Sequence, residues 1–481
     1  MVSEHDDYPM TFHEGGRLKV ALDIRFDFSL VLEKNLRSGE GITAPALRSA
    51  LRLAEKSALR VARRHASGEI GFPDLPFRER AAGLIARDAA RLRKRFTHML
   101  VLGIGGSALG TKAVLEAIGG AGARKGLAVK VADNVDPDVF FPLMRSLPME
   151  STVVVAVSKS GATAETNAQL SIAIAALKKA NGRAWKERLV LITDPEKGIF
   201  RSVAREQGIK AYPVPANVGG RFSVLSPVGL FPLAAAGVSV ERLLSGARHI
   251  ETLFRGKKPE ENPVLFAAAV YAHYLVSDPK PANVWMTYGE GLDRMAEWWQ
   301  QLWGESLGKR RGDGSHVGQT PARAVGVTDQ HSQVQLYQDG PSDKVYTFIK
   351  WKEGREKGKV PRAGFSPDMS MLGGRPLRDL FEAEFEGTVG ALWTAGRPIV
   401  RIEIGKRDEA HLGAFLHFWQ WVTAIAGECA GINPFDQPGV EEGKKITRAL
   451  MGEKGSSYRR EVFLRRMRQR APAEMRVRRG G

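Results

Sequence analysis

Cysteine is almost absent from this sequence, which has only Cys429 among its 481 residues. A single cysteine excludes an intramolecular disulfide and is typical of a reducing compartment. Cys429 lies in an apolar run of small residues from Ala424 to Ala430, so we expect a buried thiol without a catalytic role. The chain opens without a basic segment followed by an apolar one, which is why we expect no secretory signal and a cytoplasmic protein.

Long hydrophobic runs are also missing. The most apolar stretch, Val224 to Val240, is short for a membrane span and contains Pro227 and Pro232, so it predicts a buried core helix and no membrane association. The 43% of hydrophobic and 26% of charged residues are typical of a globular protein. At 481 residues the chain predicts two or three domains.

Motifs for metals and nucleotides are lacking as well. The ten histidines form no H-x-x-x-H pair and have no cysteine cluster beside them, so no zinc-type metal site is indicated. Neither a G-x-S-x-G elbow nor a G-x-x-x-x-G-K-[ST] loop occurs. We therefore expect chemistry that uses no metal and no cofactor.

Positive charge is in excess, with a formal net charge of +18. Residues 454–481 contribute about +8 of it, since they hold ten Lys and Arg against Glu461 and Glu474. Beyond Tyr458 and Phe463 this tail has no interleaved aromatics, and no nucleic-acid-binding signature accompanies it. We therefore expect a solvated helix there and no nucleic-acid partner.

Short β-rich runs alternate with helical stretches, which predicts parallel sheets covered by helices. The fold class is therefore α/β, with two domains and with helical segments at both ends. The predicted strands are Met99–Ile104, Ala128–Ala132, Thr152–Val157, Leu189–Thr193, Val284–Thr287, Val345–Lys350 and Ile399–Ile402.

Two segments that follow predicted strands suit an anion. Gly103 to Ser107 precedes a helix, and its glycines let backbone N–H groups approach a phosphate, although a dinucleotide turn is an equal alternative. Ser158 to Thr166 offers three hydroxyls in six residues beside Lys159, which favours a phosphate monoester over a simple helix cap.

Two further segments carry charge beside glycine or tryptophan. Gly219-Gly220-Arg221 would bring a cation close to a ligand, although a turn with a surface arginine is the commoner case. Trp298 to Lys309 places Gln301 and Glu305 four residues apart, on one helix face. Desolvation by the tryptophans would raise the pKa of the Glu305 carboxyl toward the range of a general base, although a solvated glutamate on an amphipathic helix is the commoner case.

The last two segments gain meaning as a pair. Asp329 to Gln333 surrounds His331 with polar residues. Asn433 to Lys444 looks like a loop entering a helix, on which Gln437 and Lys444, seven residues apart, would lie on one face. Phosphate binding without a nucleotide motif, together with a base and an acid, describes sugar-phosphate chemistry.

In order along the chain, these segments resemble the glucose-6-phosphate isomerase family of the bacterial type. The matches are Gly105 to Ser107, Ser158 to Thr166, Val218 to Ser226, Gln300 to Lys309, Gly326 to Gln333 and Asn433 to Lys444. The resemblance implies two sugar-isomerase (SIS) domains and an enzyme that interconverts glucose 6-phosphate and fructose 6-phosphate through a cis-enediolate, a step of glycolysis and gluconeogenesis. The implied segments are 1–95 (helical), 96–245 (first SIS domain, binding phosphate), 262–430 (second SIS domain, with base and histidine) and 431–481 (active-site loop, helix and basic tail).

The resemblance also assigns roles. Glu305 would be the general base, His331 with Lys444 would open the sugar ring, and Arg221 would steady the enediolate. Glu165 would orient the histidine, which in this family comes from the neighbouring subunit, so a homodimer is implied. The substrate-binding residues would be Gly106, Ser107, Ser158, Lys159, Ser160, Thr163, Gly220, Gln301 and Gln437.

Three alternatives differ from this hypothesis in testable ways. A related isomerase with broader choice would turn over mannose 6-phosphate or an amino-sugar phosphate. A sensing regulator built on the same domain would bind sugar phosphate and tolerate the loss of Glu305. A nucleic-acid-binding protein would show salt-dependent DNA binding that survives deletion of residues 454–481.

Overall fold

The computed structural model describes residues 22–36, 40–119, 126–253, 257–362, 366 and 371–470. The strands of this part of the chain are β1 (Ile24–Asp27), β2 (His98–Leu102), β3 (Ala128–Ala132), β4 (Thr152–Val157), β5 (Leu189–Thr193), β6 (Lys210–Pro213), β7 (Ala282–Tyr288), β8 (Lys309–Arg310), β9 (His316–Val317), β10 (Thr320–Gly326), β11 (Lys344–Trp351) and β12 (Ile399–Ile404). The α-helices are α1 (Ala44–Ala66), α2 (Glu79–Arg93), α3 (Leu109–Ile118), α4 (Pro137–Ser146), α5 (Ala164–Asn181), α6 (Ile199–Gln207), α7 (Pro227–Ala235), α8 (Val240–Thr252), α9 (Pro263–Ala272), α10 (Leu292–Leu307), α11 (Val334–Asp339), α12 (Leu377–Thr394), α13 (Glu409–Cys429), α14 (Glu441–Leu450) and α15 (Ser457–Gln469).

The first sheet has the strand order β3-β2-β4-β5-β6, and every pairing in it is parallel. Its central strand β4, Thr-Val-Val-Val-Ala-Val, is buried at every position, as expected for a strand covered by helices on both faces. In the register, Leu102 at the end of β2 pairs with Ala156 near the end of β4. The loops that follow these two strands therefore leave the same edge of the sheet.

The second sheet has the order β1-β12-β11-β7-β10. The α/β fold with two parallel-sheet domains is confirmed, with one addition, because β1 pairs antiparallel with β12 at the edge. Strands β1, β6, β8, β9 and β10 were not among the predicted strands. The four residues of β1, Ile-Arg-Phe-Asp, are too few to show a periodic pattern, and they lie in the segment 1–95 that was expected to be helical.

Helix α13 is buried along almost its whole length, including His417 and Gln420. Tryptophans pack against it in a contiguous aromatic cluster. The rings of Trp285 and Trp299 are stacked with centroids 4.2 Å apart, and Trp285 lies 4.7 Å from Trp419 on α13. Buried aromatic rings of this size make large contributions to stability. This cluster fixes one face of α10 against the core.

Helices α8 and α13 approach so closely that two glycines become necessary. A Cβ added at Gly413 would lie 1.8 Å from the carbonyl oxygen of Leu243, and one added at Gly246 would lie 1.8 Å from that of Ala410. Backbone atoms cannot yield as the end of a flexible side chain can, so the two helices would have to separate.

Gly413→Ala is therefore expected to destabilise the protein by at least about 1–3 kcal/mol, the usual cost of overpacking. Guanidinium unfolding followed by circular dichroism measures the shift in midpoint. Gly387→Ala on α12 is the control, since no atom lies within 4 Å of its added Cβ and alanine has the better helix propensity. An unchanged midpoint for Gly413→Ala would contradict the close packing of α8 and α13.

Residues 436–481 form a separate compact unit from residues 1–435. In its described part, up to residue 470, helices α14 and α15 lie together and α15 has no buried residue. Across the described ranges, none of the helices combines the length and apolar character that a membrane crossing requires.

Candidate active site

Helix α10 carries both buried and partly exposed side chains. Trp298, Trp299 and Trp303 are buried in the core, whereas the Glu305 side chain is 33% exposed. Gln301 lies one turn before Glu305, and its Nε2 donates to Glu305 Oε1 at 3.3 Å. The expected helix face is therefore confirmed. Trp299 and Trp303 pack with Trp285 and Trp419 in the aromatic cluster, and Glu305 is partly exposed beside Arg221, so the sequence-based picture of a carboxylate desolvated by indoles does not describe Glu305.

Arg221 lies beside Glu305 and is buried, with 1% of its side chain exposed. Its Nη1 is 3.6 Å from Glu305 Oε2, its Nε donates to Ser306 Oγ at 2.7 Å, and its Nη2 donates to the carbonyl oxygen of Pro434 at 2.5 Å. A guanidinium held at several points has little freedom to turn, which suits it to act as a fixed positive charge. The alternative of a surface arginine is wrong, because Arg221 is not at the surface.

The loop after strand β2 lies close to Arg221 and Glu305 because two of its residues, Gly105 and Gly106, have no side chain. A Cβ added at Gly106 would lie 2.3 Å from the carbonyl group of Gly220, and one added at Gly105, where φ is +57°, would lie 2.7 Å from Gln301 Nε2. A larger residue at position 106 would clash with the backbone of Gly220, and one at position 105 would be strained by the positive φ. The turn Gly105–Ser107 therefore packs directly against the turn Gly220–Phe222 and against α10.

The hydroxyls of the segment after β4 bond to their own loop. Ser158 Oγ lies 2.9 Å from Thr163 Oγ1 and accepts from the Gly161 N–H at 3.0 Å, and Ser160 Oγ accepts from the Ala162 N–H at 3.1 Å. Thr163 occupies the N-cap position of α5 but makes no side-chain capping bond. The simple helix-cap interpretation therefore does not describe what its hydroxyl does.

Lys159 of the same loop is half-buried and turned toward the chain before Arg221. Its Nζ donates to the carbonyl oxygens of Ala216 at 2.6 Å and of Val218 at 3.2 Å. Burial lowers the pKa of its ammonium group, with Asp194 opposing the shift. These bonds tie the end of β4 to the segment that leads into Gly219.

Helices α3 and α5 both begin at this edge of the first sheet. Neither has a side-chain bond at its N-cap, which is Ala108 for α3 and Thr163 for α5. The side chain of Ser107, just before α3, makes no hydrogen bond within the described residues. Two helix N-termini without side-chain caps, next to hydroxyls, are suited to an anion with several oxygen atoms.

Within the described residues, His331 and Glu165 make no hydrogen bond or ion pair with Glu305, Arg221 or Gln301. His331 ends a 3₁₀ turn, Thr328–His331, after β10 and is exposed. Within the described ranges neither the His331 ring nor the Glu165 carboxylate has a hydrogen bond or an ion pair with another residue. The neighbouring Asp329 accepts bonds from the Val325 N–H and the Ser332 hydroxyl at 2.7 Å each, which outweigh burial and lower its pKa.

Gln437 and Lys444 lie in the unit 436–481. The sequence-based prediction put both on one helix face, which is wrong, because α14 begins only at Glu441 and Gln437 has an extended φ of −157°. Pro438 explains the difference, since the residue before a proline is disfavoured in the α region. Lys444 is exposed, and its Nζ donates to Glu441 Oε1 at 2.9 Å.

Sequence reasoning assigned no role to Ser306 and missed the carbonyl of Pro434. Ser306 is fully buried, and its position next to Glu305 was the one available signal. A backbone carbonyl carries no signal in a sequence. The structure brings together a carboxylate, a buried guanidinium and the Gln301 amide, whose Oε1 is buried without a partner among the described residues. A carboxylate and a fixed positive charge in contact can move a proton while stabilising an oxyanion.

The family of the chain is shown by comparison with known proteins. A family model described as phosphoglucose isomerase matches residues 89–463, which is most of the chain and includes Arg221 and Glu305. The chain belongs to the phosphoglucose isomerase family. The contact of the carboxylate with the guanidinium is a geometric observation that does not depend on this family assignment.

Relatives in the phosphoglucose isomerase family cover most of the chain. It is 42% identical over 415 residues to a glucose-6-phosphate isomerase of Carboxydothermus hydrogenoformans, covering 83% of this chain and 88% of that one. It is 39% identical over 382 residues to a glucose-6-phosphate isomerase of Thermus thermophilus, covering 79% and 89%.

Two crystal structures share the fold. One, of a hypothetical protein from Thermus thermophilus, has a TM-score of 0.80 at 35% identity and covers 89% of this chain and 100% of that one. The other, a glucose-6-phosphate isomerase from Chlamydia trachomatis, has a TM-score of 0.67 at 23% identity, covering 81% and 77%. The second likeness shows the fold alone.

Proposed function

We propose that this protein is a glucose-6-phosphate isomerase, which converts glucose 6-phosphate to fructose 6-phosphate and back. The observation that carries the proposal is the contact of Glu305 with the buried Arg221, at 3.6 Å, in a chain of the phosphoglucose isomerase family. Gln301 supports it, because its buried Oε1 has no partner among the described residues and would accept a bond from a sugar hydroxyl.

In the proposed reaction Glu305, ionised, takes the proton from C2 of the opened aldose. The electron pair of that C–H bond forms the C1–C2 double bond, and the pair of the aldehyde double bond moves to O1, which gives a cis-enediolate. The proton on O2 passes to O1, the ketone forms at C2, and Glu305 returns its proton to C1. Arg221 stabilises the negative oxygen, an electrostatic task for which a preorganised charge is effective.

The phosphate of the substrate would lie at the edge of the first sheet where β2 and β4 end. Hydroxyls of Ser107, Ser158, Ser160 and Thr163 and the first N–H groups of α3 and α5 would bind it. Gly106 and Gly220 would let the ligand approach the backbone. Lys159 contributes by holding the segment before Gly219 and by its charge. Binding the phosphate positions C1 and C2 at Glu305 and so supplies part of the catalysis.

Ring opening would fall to His331 and Lys444, with Gln437 contacting the sugar. His331 is exposed and unpartnered within the described part of its own chain, as a residue would be that completes a neighbouring subunit's site, where Glu165 would orient it. The proposal therefore includes a cytoplasmic homodimer that acts in glycolysis and gluconeogenesis.

Donation of His331 between subunits predicts complementation. Glu305→Gln and His331→Ala are each expected to be nearly inactive alone. When the two are co-expressed, half of the dimers are mixed and each mixed dimer has one intact site, so about a quarter of wild-type activity should return. The mixed dimer, isolated by tandem purification with a different tag on each variant, should have about half of the wild-type activity, because one of its two sites is intact. If the mixed dimer stays as inactive as its parents, His331 works within its own subunit.

The function itself is tested by a coupled assay that follows glucose 6-phosphate formed from fructose 6-phosphate. Turnover is expected with fructose 6-phosphate and not with fructose, because the phosphate positions the reacting carbons. Turnover of mannose 6-phosphate as well would support the alternative of a related isomerase with broader substrate choice. A protein that binds fructose 6-phosphate without turning it over would be a sensor, and the isomerase proposal would be withdrawn.

A further inference from the structure

A buried chain of hydrogen bonds leads from helices α8 and α13 to the turn that holds Arg221. Gln420 Nε2 donates to the carbonyl oxygen of Phe222 at 3.0 Å, and His417 Nδ1 lies 3.0 Å from Gln420 Oε1. His417 Nε2 lies 2.5 Å from Glu251 Oε1. His417 and Gln420 are fully buried, and Glu251 is 4% exposed.

The direction of these hydrogen bonds follows from the carbonyl group of Phe222. A backbone carbonyl only accepts, so the amide nitrogen of Gln420 must point to Phe222 and its oxygen to His417. The Nδ1 of His417 must then carry a proton, and a second proton must lie between its Nε2 and Glu251 Oε1, because two acceptors 2.5 Å apart would repel each other. Trp421 Nε1 also donates to Glu251 Oε1, at 2.8 Å. The ring and the amide are thus fixed in one orientation.

The carbonyl group that accepts from Gln420 belongs to Phe222, the residue after Arg221. The turn Gly220–Phe222 is held on its other side by the close approach of Gly106, and the Phe222 ring packs on Phe72 with centroids 5.0 Å apart. On the side of α13, the hydrogen bond from Gln420 therefore fixes the position of this turn. This position in turn fixes where the Arg221 guanidinium lies relative to Glu305.

We propose that Gln420 is a positioning residue for Arg221, oriented in turn by His417 and Glu251. This inference rests on the proposed function, because Arg221 has a catalytic task only if the chain is an isomerase. Without the Gln420 bond the turn shifts, and the guanidinium no longer meets the enediolate oxygen. A displacement of about 1 Å at such a contact costs up to about 100-fold in rate.

A merely structural role predicts something different. The same network links α8 to α13, and a buried polar bridge of this kind contributes to stability whether or not a reaction follows. Its loss would lower the fraction of folded protein and leave the turnover of each folded molecule unchanged. The two roles therefore differ in kcat measured on folded protein.

Gln420→Met removes both hydrogen bonds at nearly constant volume. We expect kcat with fructose 6-phosphate to fall about 10- to 100-fold while KM stays within about twofold, the pattern of an interaction made in the transition state. Circular dichroism and the thermal midpoint establish that the variant is folded. Thr423→Val is the control, a buried hydroxyl on the same helix with no partner among the described residues, and its kcat should not change.

Dependence on Arg221 is measured by a double-mutant cycle. In the background Arg221→Lys, Gln420→Met should cause no further loss of kcat, since the group it positions is already gone. Equal losses in both backgrounds, or an unchanged kcat in the folded single variant, would overturn the inference. Inactivity of the wild-type protein would instead overturn the proposed function and this inference with it.

Should Gln420→Met fail to fold, His417→Gln takes its place under the same criteria. Its amide keeps a polar group toward Glu251 but removes the Nδ1 donor that orients Gln420. A lowered kcat in this folded variant, absent in the Arg221→Lys background, supports the positioning role. A full wild-type kcat rejects it.

Discussion

Glu305→Gln is expected to lower kcat with fructose 6-phosphate by about three orders of magnitude or more, within or above the range seen when a positioned base is removed. The amide has the same shape and still fits beside Arg221 and Gln301, but it cannot accept the C2 proton. KM should change little, because the phosphate contacts are intact. Steady-state kinetics in the coupled assay, in both directions, provide the measurement.

The matched control for this prediction is Glu297→Gln, two turns earlier on the same helix. Glu297 forms an ion pair with Arg294 at 2.8 Å, and a partly exposed pair of this kind contributes little. We therefore expect nearly normal turnover from the control. If Glu305→Gln retained a tenth of the wild-type kcat, Glu305 would not be the proton carrier, and the carboxylate–guanidinium contact would need another explanation.

Two strands that the sequence predicted, β4 and β5, are buried at every position. Thr152–Val157 and Leu189–Thr193 were placed to the residue, since a continuous run of Val, Leu and Ile marks a central parallel strand. Strand β10, Thr-Pro-Ala-Arg-Ala-Val-Gly, carries a proline and an arginine, and its sequence does not read as a strand. It forms because β7 offers a free edge, which is a tertiary cause.

In the candidate site, too, features set by local sequence were predictable and features set by tertiary contacts were not. The spacing of Gln301 and Glu305 determined their common face, because helical periodicity is local. The depth of Arg221 was not predictable, since it depends on Ser306, on the carbonyl of Pro434 and on two glycines more than 100 residues apart. Gln437 was misplaced where a local rule existed and was not applied, because Pro438 excludes it from the helix.

The environment of Glu305 shows how a correct motif led to a wrong physical picture. Three tryptophans within eight residues indicated a desolvated carboxylate. Trp299 and Trp303 pack with Trp285 and Trp419, and Trp298 is buried, whereas the Glu305 side chain is 33% exposed and lies beside Arg221. The partner that defines the chemistry of this carboxylate is thus a distant arginine, which no local sequence pattern indicates.

Arg221→Lys is the second change with a large expected effect. Lysine keeps the positive charge but not the planar fork that reaches Ser306, Pro434 and Glu305 together, so the charge is no longer fixed. Loss of a preorganised contact to a developing oxyanion costs about 100- to 1,000-fold in kcat. We therefore expect a loss of that size with KM for fructose 6-phosphate nearly unchanged.

The control for Arg221→Lys is Arg242→Lys, whose guanidinium pairs with Asp408 at 2.9 Å and is 39% exposed. This control separates loss of an arginine from loss of the arginine at the site, and its kcat should equal that of the wild type. A large rise in KM with kcat preserved would mean that Arg221 holds the substrate in its ground state. The oxyanion would then be stabilised elsewhere, because only an interaction stronger in the transition state raises kcat.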